Sequence, residues 1–341
     1  TYEQVNIDVV TDQLRTAPRG ENVKEQVQAA HISPDGKRVV LQARGELFSL
    51  PAEYGYVKNL TRSSGSAERY PAWSPDGRYI AYWSDASGEY ELILHDMQKQ
   101  QTEKRTSLGE GFRYEPHWSP DSKKIAFIDE TMTIRVYNVE KDDLKEVAQS
   151  DYFISHGGLR GFDLEWSADS KWLTFSLPST NRNHILYLYD NEEDDMHRVT
   201  SGFYSDRNPV FDPKGKYLYF LTNRHFSPVY SDYGNSFVYP NATKIAAVSL
   251  SAKVKSPLAA RNDEVEVEDK SEENDKEKKE KDEGDKEEQE EKAVEIDLEN
   301  MEQRLVLLPP DPGNYGNLEA ARGKVIYHRR PNTGSDDKER T

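Results

Sequence analysis

Residues 73–84 read WSPDGRYIAYWS, and that stretch returns along the chain. Its other versions are HISPDGKRVVL from His31, WSPDSKKIAFI from Trp118, WSADSKWLTFS from Trp166 and FDPKGKYLYFLTN from Phe211. The residues that open the turn stand at 33, 74, 119, 167 and 212, so the spacings are 41, 45, 48 and 45. Repeats of about forty to fifty residues made of short strands are the mark of propeller blades. Within the tetrad, Pro fixes one dihedral, Asp caps backbone donors and Gly tolerates positive φ. Asp35, Asp76, Asp121 and Asp169 are therefore read as structural turn residues. Calcium ligation would need oxygen donors at short alternating spacings, which these positions lack.

Each turn is followed by three strand-like runs. The second strand carries I-A-Y, I-A-F, L-T-F or L-Y-F. The third strands are ELFSL from Glu46, ELILHD from Glu91, IRVYNV from Ile134, ILYLYD from Ile185 and KIAAVSL from Lys244, and VKNLT, TEKRT, LKEVA and MHRVT form outer strands. A sandwich also has turns every eight to twelve residues, but it gives no reason for the same turn to recur once every four strands. The fold class is thus all-β, a beta-propeller of four-stranded blades, seven being expected in the full protein.

The expected organisation has residues 1–23 as the end of a preceding blade with a linker, and residues 24–261 as blades one to five. Residues 262–293 form an acidic, disordered insertion, and residues 294–341 hold the final strand of the fifth unit and the start of a further, truncated blade. Val5-Asn6-Ile7-Asp8 matches Val294-Glu295-Ile296-Asp297, which assigns residues 294–298 to that final strand. Because a ring removes its strand edges only by closing, the unfinished last blade is read as a sign of a fragment. Residues 224–241 form a long aromatic loop, expected to pack as a lid or against another domain.

The net charge of -17 is unevenly spread. Residues 263–292 hold 17 acidic and 7 basic side chains, too polar to offset their ordering entropy. The negative balance argues against nucleic-acid binding, no apolar run reaches membrane-spanning length, and no signal peptide is visible at the first residues. The absence of cysteine removes disulfides, thiolate metal ligands and thiol nucleophiles.

No catalytic constellation is recognised: there is no G-x-S-x-G elbow, no H-E-x-x-H and no phosphate-binding glycine loop. No catalytic, cofactor-binding or metal-ligating residue is assigned, and no cofactor is expected. His31 stands where three other units have Trp and is read as structural, while His117 is placed to face the channel. An arginine precedes the turn in four consecutive units: Arg69, Arg113, Arg160 and Arg207, by five, six, seven and five positions. These four are read as channel-mouth peptide contacts, a basic collar able to attract carboxylates. The alternative pairs each with an acid of its own unit, such as Glu68, Glu115, Asp163 or Asp206.

The array resembles the repeats of TolB-like and tricorn-type propellers. Residues 31–77, 202–233 and 294–318 are similar to the second propeller of the tricorn protease homologs, HFSPVYSDY from His225 and VEIDL from Val294 being the more specific segments. The resemblance implies two propellers preceding a PDZ-like domain and a serine protease core of the tail-specific type. The propellers would filter unfolded peptides or oligopeptides and channel them to that core, which lies outside this chain. It also implies a homo-oligomer, a hexamer in archaeal members. Localisation would be cytoplasmic, or periplasmic if a signal peptide lies upstream. The competing functions are a free-standing TolB-like scaffold that binds proteins, and a hydrolase using a propeller as its own catalytic domain.

Overall fold

The recurring tetrad folds as a turn closed by its own side chains. In the computed structural model, which describes residues 20, 22–225, 228–231, 234, 236–260, 293–321, 323–333 and 335, the Ser33 hydroxyl donates to Asp35 Oδ1 at 2.7 Å. The Lys37 amide donates to the same oxygen, and the Arg38 amide donates to Ser33 Oγ. The same three contacts recur around Ser74 and Asp76, Ser119 and Asp121, and Ser167 and Asp169. Where Gly36 and Gly77 take the left-handed backbone, Ser122 and Ser170 take it too, at φ 60 and 61. That conformation costs a serine roughly 1 kcal/mol. The hydroxyls offset it by accepting amide hydrogens from the preceding blade's turn, Asp76 onto Ser122 and Asp121 onto Ser170.

These turns join strands into antiparallel meanders. The first blade is β1 (Val27–Ile32), β2 (Arg38–Ala43), β3 (Glu46–Pro51) and β4 (Lys58–Asn59). The second is β5 (Glu68–Trp73), β6 (Tyr79–Ser84), β7 (Glu91–Asp96) and β8 (Gln101–Lys104). The third is β9 (His117–Trp118), β10 (Lys124–Ile128), β11 (Thr133–Asn138) and β12 (Asp143–Gln149). A short helix, α1 (His156–Arg160), precedes the fourth blade, β13 (Leu164–Trp166), β14 (Trp172–Pro178), β15 (His184–Asp190) and β16 (Asp195–Arg198). The fifth comprises β17 (Asp206–Phe211), β18 (Tyr217–Thr222), β21 (Lys244–Ser249) and β22 (Leu305–Leu307), with the hairpin β19 (Val229–Ser231) and β20 (Ser236–Val238) inserted into it. A sixth sheet has two described strands, β23 (Asn314–Ala321) and β24 (Lys324–Arg330).

The inner strands β1, β5, β9, β13, β17 and β23 follow one another as spatial neighbours. The middle strands of the inner blades are buried on both faces, β14 almost throughout, because those blades are pressed between two others. Apolar burial therefore forms layers between blades rather than one core. Val40 and Leu47 meet Trp73 and Ile80; Trp83 and Leu92 meet Ile125 and Phe127; Ile134 and Val136 meet Leu173 and Phe175. Leu186 and Leu188 meet Leu218 and Phe220, and Val210 meets Leu318. No helix among the described residues is long and apolar enough to cross a membrane.

Two features differ from the sequence reading. The outer strand of the fifth blade is Leu305–Leu307, paired with β21, and not residues 294–298. That segment is a clasp: Val294 is buried between blades four and five and donates its amide to Asp169 Oδ2, while Asp297 accepts from Ser251 and Ala252. The aromatic loop contains the hairpin β19–β20. Its base is tied down by Arg224, whose Nη2 reaches Asp206 at 2.9 Å and Glu302 at 2.6 Å. The expected strand at Val5–Asp8 and the acidic stretch through residue 292 lie outside the described residues.

Candidate functional site

Inner strands alternate their side chains, so one side of each faces the space around which the blades gather. In blade four, Leu164, Glu165 and Trp166 all border a cavity of about 650 Å³, Leu164 and Trp166 being at the same time buried in the layer against blade three. Inner strands of the first four blades wall that cavity. Its lining includes His31, Tyr70, Glu115, His117 and Glu165, and Pro34, Pro75 and Pro120 from the turn tetrads.

The carboxylates set the electrostatics. Burial, with repulsion from Glu319 and Asp163, pushes Glu165 up to about 8. Asp163 rises to about 6 by burial and by the charges of Glu319 and Glu115, and burial raises Glu115 and Glu319 as well. Asp163, Glu115 and Glu319 remain exposed. Their raised pKa values follow because surrounding protein displaces the bulk water that would otherwise stabilise the charge. Burial, helped by the charge of His31, takes His117 down to about 4. Among the described residues, no group of three or more His, Cys, Asp or Glu could hold a metal ion.

A bulge at the start of the inner strand sets the entrance. The register of β5 with β6 shifts between Arg69 and Ala72, that of β17 with β18 between Arg207 and Val210, and that of β23 with β24 between Gly316 and Glu319. Tyr70, Asn208 and Asn317 take φ of 52, 50 and 51 there. The strain is held by hydrogen bonds to a neighbouring blade: the Tyr70 amide donates to Gln42 Oε1 of the preceding blade at 3.0 Å, and Asn208 Oδ1 accepts the amide of Leu318 in the following sheet at 2.7 Å. The rings of Tyr70, Phe112 and Tyr114 cluster beside these bulges, and the Tyr114 hydroxyl meets His156 Nδ1 at 2.9 Å. His156 opens α1, capped by Ser155, so α1 is fastened to blade three.

The four arginines do not form one collar. Arg113 is only 4% exposed, and its guanidinium donates to the carbonyls of Gly109, Gly111 and Glu110. It closes its own loop and has no face toward a ligand. Arg69 donates to the Tyr90 hydroxyl at 2.7 Å and lies over the rings of Tyr90 and Phe112. Arg160 is exposed at the end of α1, beside the Tyr70 hydroxyl and the Glu115 carboxylate. Arg207 is exposed and donates to Ser205. Pairing with the acid of its own unit is not the rule either, since Glu68 accepts from Ser63, Ser66 and Ser84, and Asp206 binds Arg224.

Two sets of residues carry more than their sequence reading gave them. The tryptophans of the tetrads staple inner strands: Trp118 Nε1 donates to Ala72 O and Trp166 Nε1 to His117 O, both at 3.1 Å. Glu165 borders the cavity and Asp163 lies just ahead of β13, a pairing of carboxylates in DLEW that the sequence reading passed over.

Comparison with known proteins gives a consistent picture. Residues 27–341 match the tricorn protease second beta propeller domain. A tricorn protease homolog of Saccharolobus solfataricus is 22% identical over 324 residues, covering 95% of this chain and 27% of that protein. Tricorn protease homolog 1 of Streptomyces coelicolor is 27% identical over 312 residues, 89% of this chain and 28% of that protein. Among solved structures, the crystal structure of the tricorn protease matches with a TM-score of 0.70 at 18% identity, over 90% of this chain and 27% of that one. The last likeness shows the propeller fold. The chain thus spans little more than a quarter of the length of these relatives.

Proposed function

Because the chain belongs to the family of tricorn protease second beta propeller domains, we propose that it is the noncatalytic propeller region of a tricorn-like serine peptidase, admitting extended peptides to a protease core outside this chain. The observation that carries this reading is the cavity of about 650 Å³ walled by the inner strands. A 100-residue folded domain has a radius of gyration of about 13 Å and is excluded by such a space, whereas an extended chain is one residue wide. Threading costs an unfolded peptide about 1–2 kcal/mol of backbone entropy per ordered residue. Aromatic rings, prolines and histidines along the wall supply contacts that offset part of it. Arg160 and Arg207 are the two arginines placed to meet a peptide at the mouth. In this reading, PDZ-like and serine protease domains of the same polypeptide and a homo-oligomeric assembly complete the machine.

The test uses the full polypeptide that carries this chain. Ala30 lines the cavity, and Ala30→Trp narrows it without touching an interblade layer. Hydrolysis of a long unfolded polypeptide is expected to slow several-fold with the melting temperature unchanged. An unchanged rate overturns the channel, and a polypeptide that hydrolyses nothing while capturing folded proteins favours a binding scaffold instead.

A further inference from the structure

An antiparallel strand points the N–H and C=O of alternate residues at its partner, and those of the residues between them the other way. In blade one the Ser33 amide donates to Arg38 O, and the register continues through His31↔Val40, Ala30↔Leu41 and Ala29↔Gln42. The main-chain groups of Ala29 and His31 therefore face β2, and those of Ala30 and Ile32 face the free edge. Gln28, Ala29, Ala30, His31 and Ile32 all border the cavity of about 650 Å³. Ala30 and Ile32 are exposed, and their amides have no hydrogen-bond partner among the described residues. The strand, VQAAHI, carries no charge and no proline, and only methyl side chains stand at positions 29 and 30.

The other described inner strands are blunted. The position of Ala30, three residues before the turn opener, is held by Pro71 in β5, by Pro116 just ahead of β9 and by Pro209 in β17. The same alternation turns each of these toward the free edge, where a proline has no N–H to offer. Bulges interrupt β5 and β17 at these prolines, and the next free-edge donor of β5, the Trp73 amide, is taken by His31 Nδ1 at 3.2 Å. Strand β9 has two residues and β13 three, with Leu164 and Trp166 buried. In β23 the Leu318 amide is taken by Asn208. Short strands, prolines and bulges are the means by which sheet edges are kept from pairing. The bulge of β1 lies at its start, between Val27 and Ala29, and the ladder is regular from there to Ile32. An open edge of alternating donors and acceptors is matched by another extended main chain.

Resting on the channel reading above, we propose that an extended peptide binds in this cavity by adding as a strand to the free edge of β1, exchanging main-chain hydrogen bonds with Ala30 and Ile32. The cavity volume lies within the range of ligand sites, about 300–1,000 Å³. The facing walls carry Pro71 and Pro116, so they offer no competing ladder and the peptide pairs on one side only. Main-chain pairing is indifferent to side chains, so the site selects an extended, unfolded chain rather than a particular sequence.

The experiment measures binding of a labelled, unstructured decapeptide to the full polypeptide that carries this chain. Its control is a depsipeptide twin of the same side chains, in which ester oxygens replace the central N–H groups. The plain peptide is expected to bind about tenfold tighter, the scale of a few main-chain hydrogen bonds. Ala30→Pro copies the proline of the sister blades and spares the β2 ladder, and it should bring the twins to within about twofold of each other. Bound plain peptide should also slow amide exchange across residues 27–32 of the natural chain, a readout that depends on no variant's folding. Twins that bind alike to the natural chain overturn the proposal. So does a preference that Ala30→Pro leaves intact, which would place the pairing at another edge. Concentration-dependent dimers that Ala30→Pro abolishes would give the edge to a second copy and overturn it as well. If Ala30→Trp weakens both twins while they bind alike, the channel stands and only the strand addition falls. If Ala30→Trp weakens neither, the channel reading falls and the strand addition with it.

Discussion

Two sets of acidic side chains share this protein and live under opposite conditions. The turn aspartates sit in nests of donors, and at Asp35 the Ser33 hydroxyl followed by the Lys37 amide holds the carboxyl below its ordinary range. Among the described residues Glu165 and Asp163 show no such donors; burial and neighbouring carboxylates push Glu165 up to about 8 and Asp163 to about 6. The boundary between the two regimes runs between adjacent residues. Trp166 is buried in the interblade layer and staples β13 to β9, while Glu165 beside it is only half-buried, and both border the cavity. The turn aspartates are satisfied within the repeat that they close, whereas the charge of Glu165 depends on groups brought in from other segments.

That contrast breaks first at the staple. Trp166→Ala removes a 5% exposed indole and its hydrogen bond, with an expected loss of about 3–5 kcal/mol in denaturant unfolding. A loss under about 1 kcal/mol would show that the interblade layers do not depend on it. The turn comes next. Ser119 is fully buried, donates to Asp121 and accepts the Lys124 amide, so Ser119→Ala should cost about 1–2 kcal/mol.

The third prediction has the opposite sign. An unfolded glutamate titrates near 4.5, while folded Glu165 does so at about 8. The folded state therefore holds this proton more tightly, and its stabilising contribution is complete below about pH 4.5 and lost as pH rises through 8. Glu165→Gln should match the natural chain in stability at acid pH and exceed it at pH 8 by on the order of 1 kcal/mol, after discounting for channel solvent. Melting curves that stay parallel across this range would place Glu165 with the satisfied acids. The smallest effect belongs to the mouth. Arg160 is exposed, so Arg160→Ala should stay within about 0.5 kcal/mol of the natural chain, yet alter peptide capture. A large stability loss would make it a structural arginine like Arg113.

The blades were legible because their determinants are local. Ser, Pro, Asp and Gly close a turn within six residues, and the strand after it is marked by its own apolar content. Arg113 was not legible as a loop brace, since its partners are carbonyls that any sequence possesses. The helix α1 was hidden as well: HGGLR carries two glycines, which lower helix propensity, and tertiary contacts through His156 hold it. Residues 294–298 look like a strand by composition, but Val294 is drawn into the layer between two blades, and burial outweighs strand propensity.

The sequence by itself determined a propeller: it set the period, the turns, the strand order within blades and the tryptophans between them. Only the tertiary structure decided which charges face one another. Glu115, Asp163 with Glu165, and Glu319 belong to three separate blades, and the repulsion felt by Asp163 and Glu165 exists only once folding has brought them together. Folding also buries Arg113 against the carbonyls of its own loop and leaves Arg160 open. The physical reason is range: a turn is closed by atoms a few residues apart, whereas electrostatic coupling and desolvation depend on what long-range folding brings near and on how much water it removes.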